Sequence, residues 1–143
     1  MGMVSDDVPR RDALAGPYAA TTYVVVDGFR RVPLRLGARS PDADRLLARL
    51  RRRDAFILSA DNPGSLRRPD ATNRRARLRL PRGLRTEAQA DGGGWPVERG
   101  VLATVGAAQV RKLLARLRQA AAVRVVRGRP PVLLWSRAGY FGR

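Results

Sequence analysis

The chain has 143 residues, of which 29 are Lys or Arg and 12 are Asp or Glu, giving a formal net charge of +17. It contains neither cysteine nor histidine, which excludes disulfide frameworks, thiolate metal sites and histidine-dependent catalytic triads. The apolar runs are far shorter than the ~20 residues of a membrane span, and no apolar segment follows the charged amino terminus. We therefore expect a cytoplasmic protein with no membrane association, no metal and no cofactor.

The amino-terminal residues 1–17 carry charges, two prolines and no sustained periodicity, which predicts a flexible leader. Residues 19–27 are β-branched and aromatic, and an Asp-Gly pair then predicts a hairpin turn into a second strand over residues 29–36. Pro33 has no backbone donor, so we expect this second strand at the edge of its sheet.

A helix is predicted from Ser40 onward, because Ser40 can cap it and Pro41 suits its first position. Residues 54–60 form the next strand, whose continuous apolar centre predicts burial on both faces and a central place in the sheet. The polar turn Asp-Asn-Pro-Gly follows. Asp70 or Thr72 can then cap a second helix.

The remaining elements follow in a regular order. We expect strands over residues 84–90 and 101–105, a helix over residues 107–118, and closing strands over residues 120–126 and 132–135. The whole order predicts a single α+β domain over residues 18–135, built on a largely antiparallel sheet of about six to seven strands with three helices packed on it. Residues 136–143 form a tail without a pattern.

Four short motifs follow one another along this domain. They are Ser-Ala-Asp-Asn-Pro at residues 59–63, Asn73, Gly-Trp-Pro-Val-Glu at residues 94–98, and Leu-Arg-Gln at residues 117–119. Together they resemble the small bacterial proteins of the family called domain of unknown function 3293. Asp61 stands where that family has Trp, and Leu-Arg stands where it has Phe-Gly. The resemblance covers approximately residues 18–135, and it implies no activity because the family has no established function.

The polar residues of these motifs are candidates for a small-ligand or nucleotide site. They are Asn62, Asn73, Trp95, Glu98 and Gln119. Amides read the edges of a planar polar ligand, a carboxylate accepts its donors and an aromatic face stacks on it. Such a site is either purely binding or enzymatic, with Glu98 or Asp61 as a general acid or base. The alternative is that each side chain satisfies only local backbone groups.

The densest basic patch surrounds the second helix. Its members are Arg67, Arg68, Arg74, Arg75, Arg77 and Arg79. This patch predicts a non-catalytic module that binds nucleic acid or another polyanion, which is our leading hypothesis. The competing explanation is codon usage in a GC-rich genome, which favours the 28 arginines over the single Lys112 but does not explain the excess of bases over acids.

Overall fold

The computed structural model describes residues 11–63, 66–94 and 96–137, without the side chains of residues 11–14. Its elements are α1 (Arg11–Ala19), β1 (Thr21–Asp27), β2 (Arg30–Leu34), α2 (Pro41–Arg49), β3 (Asp54–Ser59), α3 (Asp70–Arg77), β4 (Leu84–Ala90), β5 (Glu98–Ala103), α4 (Ala107–Leu117), β6 (Ala121–Val126) and β7 (Val132–Trp135). In this part of the chain, no helix is long and apolar enough to cross a membrane.

The seven strands form one antiparallel sheet in the order β2-β1-β4-β5-β3-β6-β7. This arrangement confirms the predicted α+β class and the single domain. β2 lies at one edge, as Pro33 predicted, and pairs only with β1 among the strands described. β3 lies inside the sheet between β5 and β6, as its apolar centre predicted.

Helices cover both faces of the sheet, and the alternation of side chains along β3 shows how. Ala55 and Ile57 belong to the apolar cluster that includes Leu46 and Leu47 of α2. The intervening Phe56 and Leu58 belong to a second cluster that includes Val110 and Leu114 of α4. Because successive strand residues point to opposite faces, β3 is buried from both sides.

The first turn of α2 has the predicted cap. The Ser40 hydroxyl oxygen accepts a hydrogen bond of 3.1 Å from the backbone N–H of Ala43, and Pro41 occupies the first position. The cap of α3 was predicted wrongly. Pro69 lies at the cap position without a side-chain hydrogen bond, and neither Asp70 nor Thr72 takes that role.

Residues 11–17 form most of α1, where the sequence predicted an irregular leader. The local sequence carries no clear amphipathic pattern, and tertiary contacts supply the missing stabilisation. Tyr18 packs against the cluster of α2 and meets the ring of Trp135 edge-on, with 6.1 Å between ring centroids. Residues 1–10 of the expected leader and residues 138–143 of the expected tail lie outside the described residues.

Candidate functional site

The chain leaves β3 through a tight polar turn centred on Asn62. Asn62 adopts a left-handed backbone conformation with φ of 54°, although a residue that precedes proline is usually extended. Two hydrogen bonds hold this geometry: Asn62 N–H donates to Oδ1 of Asn73 at 2.8 Å, and Arg68 N–H donates to Oδ1 of Asn62 at 2.8 Å. Asparagine tolerates this region better than most residues, so these contacts override the preference imposed by proline.

Asn62 and Asn73 are both buried, with 6 % of each residue exposed. Nδ2 of Asn73 donates to Oδ1 of Asn62 at 3.1 Å, and Nδ2 of Asn62 donates to Oε1 of Glu98 at 2.7 Å. The turn after β3, the helix α3 and the start of β5 are therefore joined through three side chains. β5 begins at Glu98, three residues earlier than expected, which places this carboxylate on the sheet rather than in a loop.

A second group of hydrogen bonds meets at Asp61, which is buried with only 2 % of the residue exposed. Arg77 donates to its carboxylate from Nε and from a terminal nitrogen, both at 2.7 Å, and Arg99 N–H donates to Oδ2 at 3.0 Å. Nε2 of Gln119 donates to the backbone carbonyl of Asp61 at 2.9 Å. Asp61 thus connects β3 with α3, with β5 and with the end of α4.

Six residues together form what we call the polar cluster. They are Asp61, Asn62, Asn73, Arg77, Glu98 and Gln119. The structure brings four of the five expected ligand residues to this place, while Trp95 lies outside the described residues. Both asparagines direct their amides to each other, to Glu98 and to the backbone of the turn. Their observed contacts are those of a scaffold for the turn at Asn62 and for the backbone of Arg68.

The ion pair between Asp61 and Arg77 was missed in the sequence, where Arg77 was counted as part of the basic patch. A signal for it exists: Asp61 directly follows a buried strand, and a buried carboxylate requires a partner. Arg77 lies four residues after Asn73 and hence on the same side of α3. The hydrogen bonds to Asp61 raise the pKa of Arg77, and its guanidinium is committed to this contact.

An apolar cavity of about 440 Å³ adjoins the polar cluster, and we call it the sheet cavity. Its floor is formed by five neighbouring strands through Tyr23 of β1, Ala88 of β4, Gly100 of β5, Ile57 of β3 and Val123 of β6. Asp61, Asn62, Glu98 and Gln119 also line it. The cavity therefore combines an apolar floor with one polar end, which is the usual composition of a small-molecule site.

Two tyrosines, Tyr18 and Tyr23, contribute phenols to the wall of the sheet cavity. Burial raises the pKa of the Tyr18 phenol far above its usual value, and the negative charge of Glu98 raises it further. Burial likewise raises the pKa of Tyr23, with smaller contributions from Tyr18 and then Glu98. Both phenols stay uncharged at neutral pH, so they act as neutral hydroxyls in this wall.

A groove of about 370 Å³ lies between the start of α3 and the end of α4. Its charged lining residues are Arg68, Arg79, Arg116 and Arg118, and we call it the arginine groove. The other described lining residues are Pro63, Pro69, Thr72 and Leu117, so no carboxylate of the described chain lines the groove. Within the described residues, Arg68, Arg79 and Arg116 form no ion pair. The groove is a cationic surface without an internal counter-charge on these three side chains.

The sequence predicted only part of this groove. Arg68 and Arg79 belonged to the expected patch, and Arg67, Arg74 and Arg75 of that patch are exposed. Arg116 and Arg118 were not expected here, because nothing local indicates that the end of α4 lies beside α3. The sequence signal for them is only that α4 ends in basic residues.

A second basic groove contrasts with the first. Its charged lining residues are two carboxylates, Asp44 and Asp54, and five arginines, Arg39, Arg53, Arg124, Arg127 and Arg129. Oδ1 of Asp44 accepts a hydrogen bond of 2.7 Å from Gly128 N–H, and Arg124 pairs with Asp54 at 2.9 Å. The Gly128 N–H first, and then Arg39, lower the pKa of Asp44. Two carboxylates therefore offset part of the positive charge here.

No family model, curated protein or solved structure gives a significant match to this chain. The resemblance to domain of unknown function 3293 accordingly stays a prediction. Among the residues that the structure describes, no group of three or more acidic side chains is placed to hold a metal ion.

Proposed function

We propose that this protein is a non-catalytic module that binds nucleic acid or another polyanion through the arginine groove. The observation that carries the proposal is a groove with four lining arginines and no carboxylate among its described lining residues. A guanidinium group matches a phosphate with two parallel hydrogen bonds, which makes arginine well suited to such a surface. The net charge of +17 adds a long-range attraction for the same class of partner.

The absence of a lining counter-charge favours this groove over the second one. When a phosphate enters the second groove, it competes with Asp54 for Arg124 and with Asp44 for Arg39. In the arginine groove, Arg68, Arg79 and Arg116 have no ion pair to break within the described chain. At these three side chains a phosphate has no carboxylate of the described chain to displace, so less of the electrostatic gain is lost.

The polar cluster positions this groove. Oδ1 of Asn62 accepts from the backbone N–H of Arg68, and Asn73 holds the turn that precedes it. The pair between Arg77 and Asp61 fixes α3, which Arg79 closely follows. Two of the four groove arginines are therefore attached to a buried hydrogen-bonded frame, which limits the conformational entropy lost on binding.

The lining of the groove also indicates the mode of binding. Among the described residues, none that lines the groove is aromatic and could stack on a base. Contacts from guanidinium groups to phosphates carry no direct sequence information. We therefore expect binding that depends on the charge of the polyanion and is nearly independent of base sequence.

Two triple variants with the same change in net charge test the proposal. Arg68→Gln/Arg79→Gln/Arg116→Gln removes the three groove arginines that form no ion pair within the described chain, and Arg53→Gln/Arg127→Gln/Arg129→Gln removes three arginines from the second groove. Fluorescence anisotropy with a short labelled DNA duplex should show at least about tenfold weaker binding for the first variant, because three charge-assisted contacts are lost. Equal losses in both variants would assign binding to net charge alone and contradict the proposal.

A further inference from the structure

We propose that the sheet cavity binds a small uncharged aromatic molecule, whose ring lies on the floor of the cavity beside Tyr18 and Tyr23. None of the described residues that line this cavity also lines the arginine groove. The inference therefore does not depend on polyanion binding, and it concerns a ligand of a different chemical class.

The cavity lies where one face of the sheet lacks large side chains. Elsewhere on this face, Val25, Leu102 and Val125 are buried in the cluster that includes Leu46 and Leu47 of α2. Nearer α1, four strand residues that line the cavity are small. They are Ala88, Ala90, Gly100 and Ala121. The floor therefore lies close to the backbone of the sheet, and a flat apolar body can lie against it.

The sheet itself keeps the floor low at Gly100. A Cβ atom at this position would collide with the backbone carbonyl of Leu58, so no larger residue fits there without a shift of the backbone. In the strand register, Tyr23 lies directly opposite Ala88. Directly opposed residues have Cβ atoms about 5 Å apart, so the side chain of Tyr23 borders the low floor. Aromatic rings pack edge-on or offset against one another, which favours an aromatic ligand in this place.

The side of the cavity formed by α1 is held in place by hydrogen bonds. Arg35 donates to Asp91 at 2.9 Å and to the carbonyl of Ala19 at 3.1 Å, which joins the end of α1 to the residue after β4. Pro17 and Tyr18 of α1 line the cavity. Its volume of about 440 Å³ lies within the ~300–1,000 Å³ range of small-molecule sites. A site held in this way loses little conformational entropy when a ligand binds.

The three carboxylates that line the cavity are already engaged. Asp61 and Glu98 both interact with the guanidinium group of Arg77, and Asp91 pairs with Arg35. Oε1 of Glu98 also accepts a hydrogen bond of 2.7 Å from the turn after β3. A cationic ligand would compete with these partners, and an anionic ligand would meet three carboxylates of its own sign. An uncharged ligand avoids both costs.

Arg99 is the only basic residue among the described residues of the lining, and it is exposed. Side chains alternate along β5, so Arg99 points to the same face as Val101, which belongs to the cluster of α4. Gly100, by contrast, belongs to the cavity floor. Arg99 therefore presents its backbone to the cavity, where its N–H donates to Asp61. Within the described chain, no charged side chain without a partner faces the cavity.

The test compares three probes that share an indole ring and differ in the group at the end of a short side chain. Tryptophol carries a hydroxyl, tryptamine an ammonium and indole-3-acetate a carboxylate. In isothermal titration calorimetry, tryptophol should bind the wild-type protein with a Kd below about 1 mM. Each charged probe should bind at least about tenfold more weakly, because its charge loses water without gaining an unpaired partner. Equal or tighter binding of either charged probe contradicts the proposal.

Two matched substitutions test the floor. Ala88→Leu fills the space beside Tyr23 and should weaken tryptophol binding at least about tenfold, whereas Ala48→Leu adds the same side chain at an exposed position of α2 and should leave it unchanged. Neither change alters the charge, so DNA binding should be unchanged in both. Ala90→Leu replaces the floor variant if circular dichroism shows that Ala88→Leu is not folded. Full tryptophol binding in a folded floor variant, or a wild-type Kd above about 1 mM, overturns the proposal.

Discussion

Arg77 donates two hydrogen bonds of 2.7 Å to the buried carboxylate of Asp61, one from Nε and one from a terminal nitrogen. The pair joins α3 to the end of β3, although the two residues are 16 positions apart in the chain. Because Asp61 also accepts from Arg99 N–H, its carboxylate holds three elements of the fold together. The position of α3, and with it one wall of the arginine groove, depends on this contact.

The first prediction concerns that ion pair. Asp61→Asn leaves Arg77 without its counter-charge in a site where Asp61 is 2 % and Arg77 25 % exposed. We expect a loss of about 2–4 kcal/mol in the free energy of unfolding, measured by urea denaturation. Glu87→Gln, which breaks the more exposed pair with Arg31, serves as the control and should cost below ~1 kcal/mol. Similar losses in the two variants would contradict the structural role of Asp61.

The second prediction concerns the turn that carries Arg68. Asn73→Ala removes the acceptor of Asn62 N–H and the donor to Asn62 Oδ1, both in a buried place. We expect a loss of about 1–3 kcal/mol in urea denaturation, because the buried Asn62 N–H loses its acceptor and Oδ1 of Asn62 loses one of its two donors. Affinity for a DNA duplex should also fall by a few-fold, since the turn that holds Arg68 loses part of its support. A loss of affinity without any loss of stability would indicate instead that Asn73 contacts the ligand directly.

The third prediction concerns stability at acidic pH. The pKa of Asp44 is lowered in the folded state below its usual value, first by the hydrogen bond from Gly128 N–H and then by Arg39. A lowered folded pKa contributes stability that is fully present above the unfolded value and is lost as pH falls through the folded value. Asp44→Asn should therefore narrow the difference between urea midpoints measured near pH 6 and near pH 3. An unchanged difference would show that Asp44 is not linked to folding.

The fourth prediction concerns the amino-terminal cap of α2. Ser40→Ala removes the acceptor of Ala43 N–H at the point where α2 enters the core through Leu46 and Leu47. We expect a loss of about 1 kcal/mol by thermal or urea unfolding, and Ser40→Asp should retain most of the stability because aspartate also caps helices. Full stability in Ser40→Ala would show that the Pro41 position alone defines the start of the helix.

Much of the fold was predictable because local signals and tertiary structure agree. Pro33 marked an edge strand, the apolar centre of residues 54–60 marked an interior strand, and Ser40 marked a helix start. α1 was not predictable in this way, since its support comes from the contact of Tyr18 with Trp135, which is distant in sequence. The missed helix thus reflects stabilisation by packing rather than by local propensity.

The candidate site was predictable in its members but less so in their roles. The structure does bring together Asn62, Asn73, Glu98 and Gln119. However, the side-chain amides of Asn62 and Asn73 hold the turn after β3 through hydrogen bonds to its backbone. The pairing of Arg77 with Asp61 and the arrival of Arg116 beside Arg79 depend on how α3 and α4 lie against each other. Spacing along one chain does not encode that geometry, so these relationships required the structure.

The central claim is that the arginine groove binds phosphates, and its most direct test is the salt dependence of DNA binding. The logarithm of the binding constant is measured against the logarithm of salt concentration for the wild type and for Arg68→Gln/Arg79→Gln/Arg116→Gln. The three groove arginines without an ion pair in the described chain predict a wild-type slope of about −2.7 or steeper on duplex DNA, at about −0.9 for each phosphate. The variant should have a slope shallower by about 2–3. A flat wild-type response, or the same slope in both proteins, would contradict the account.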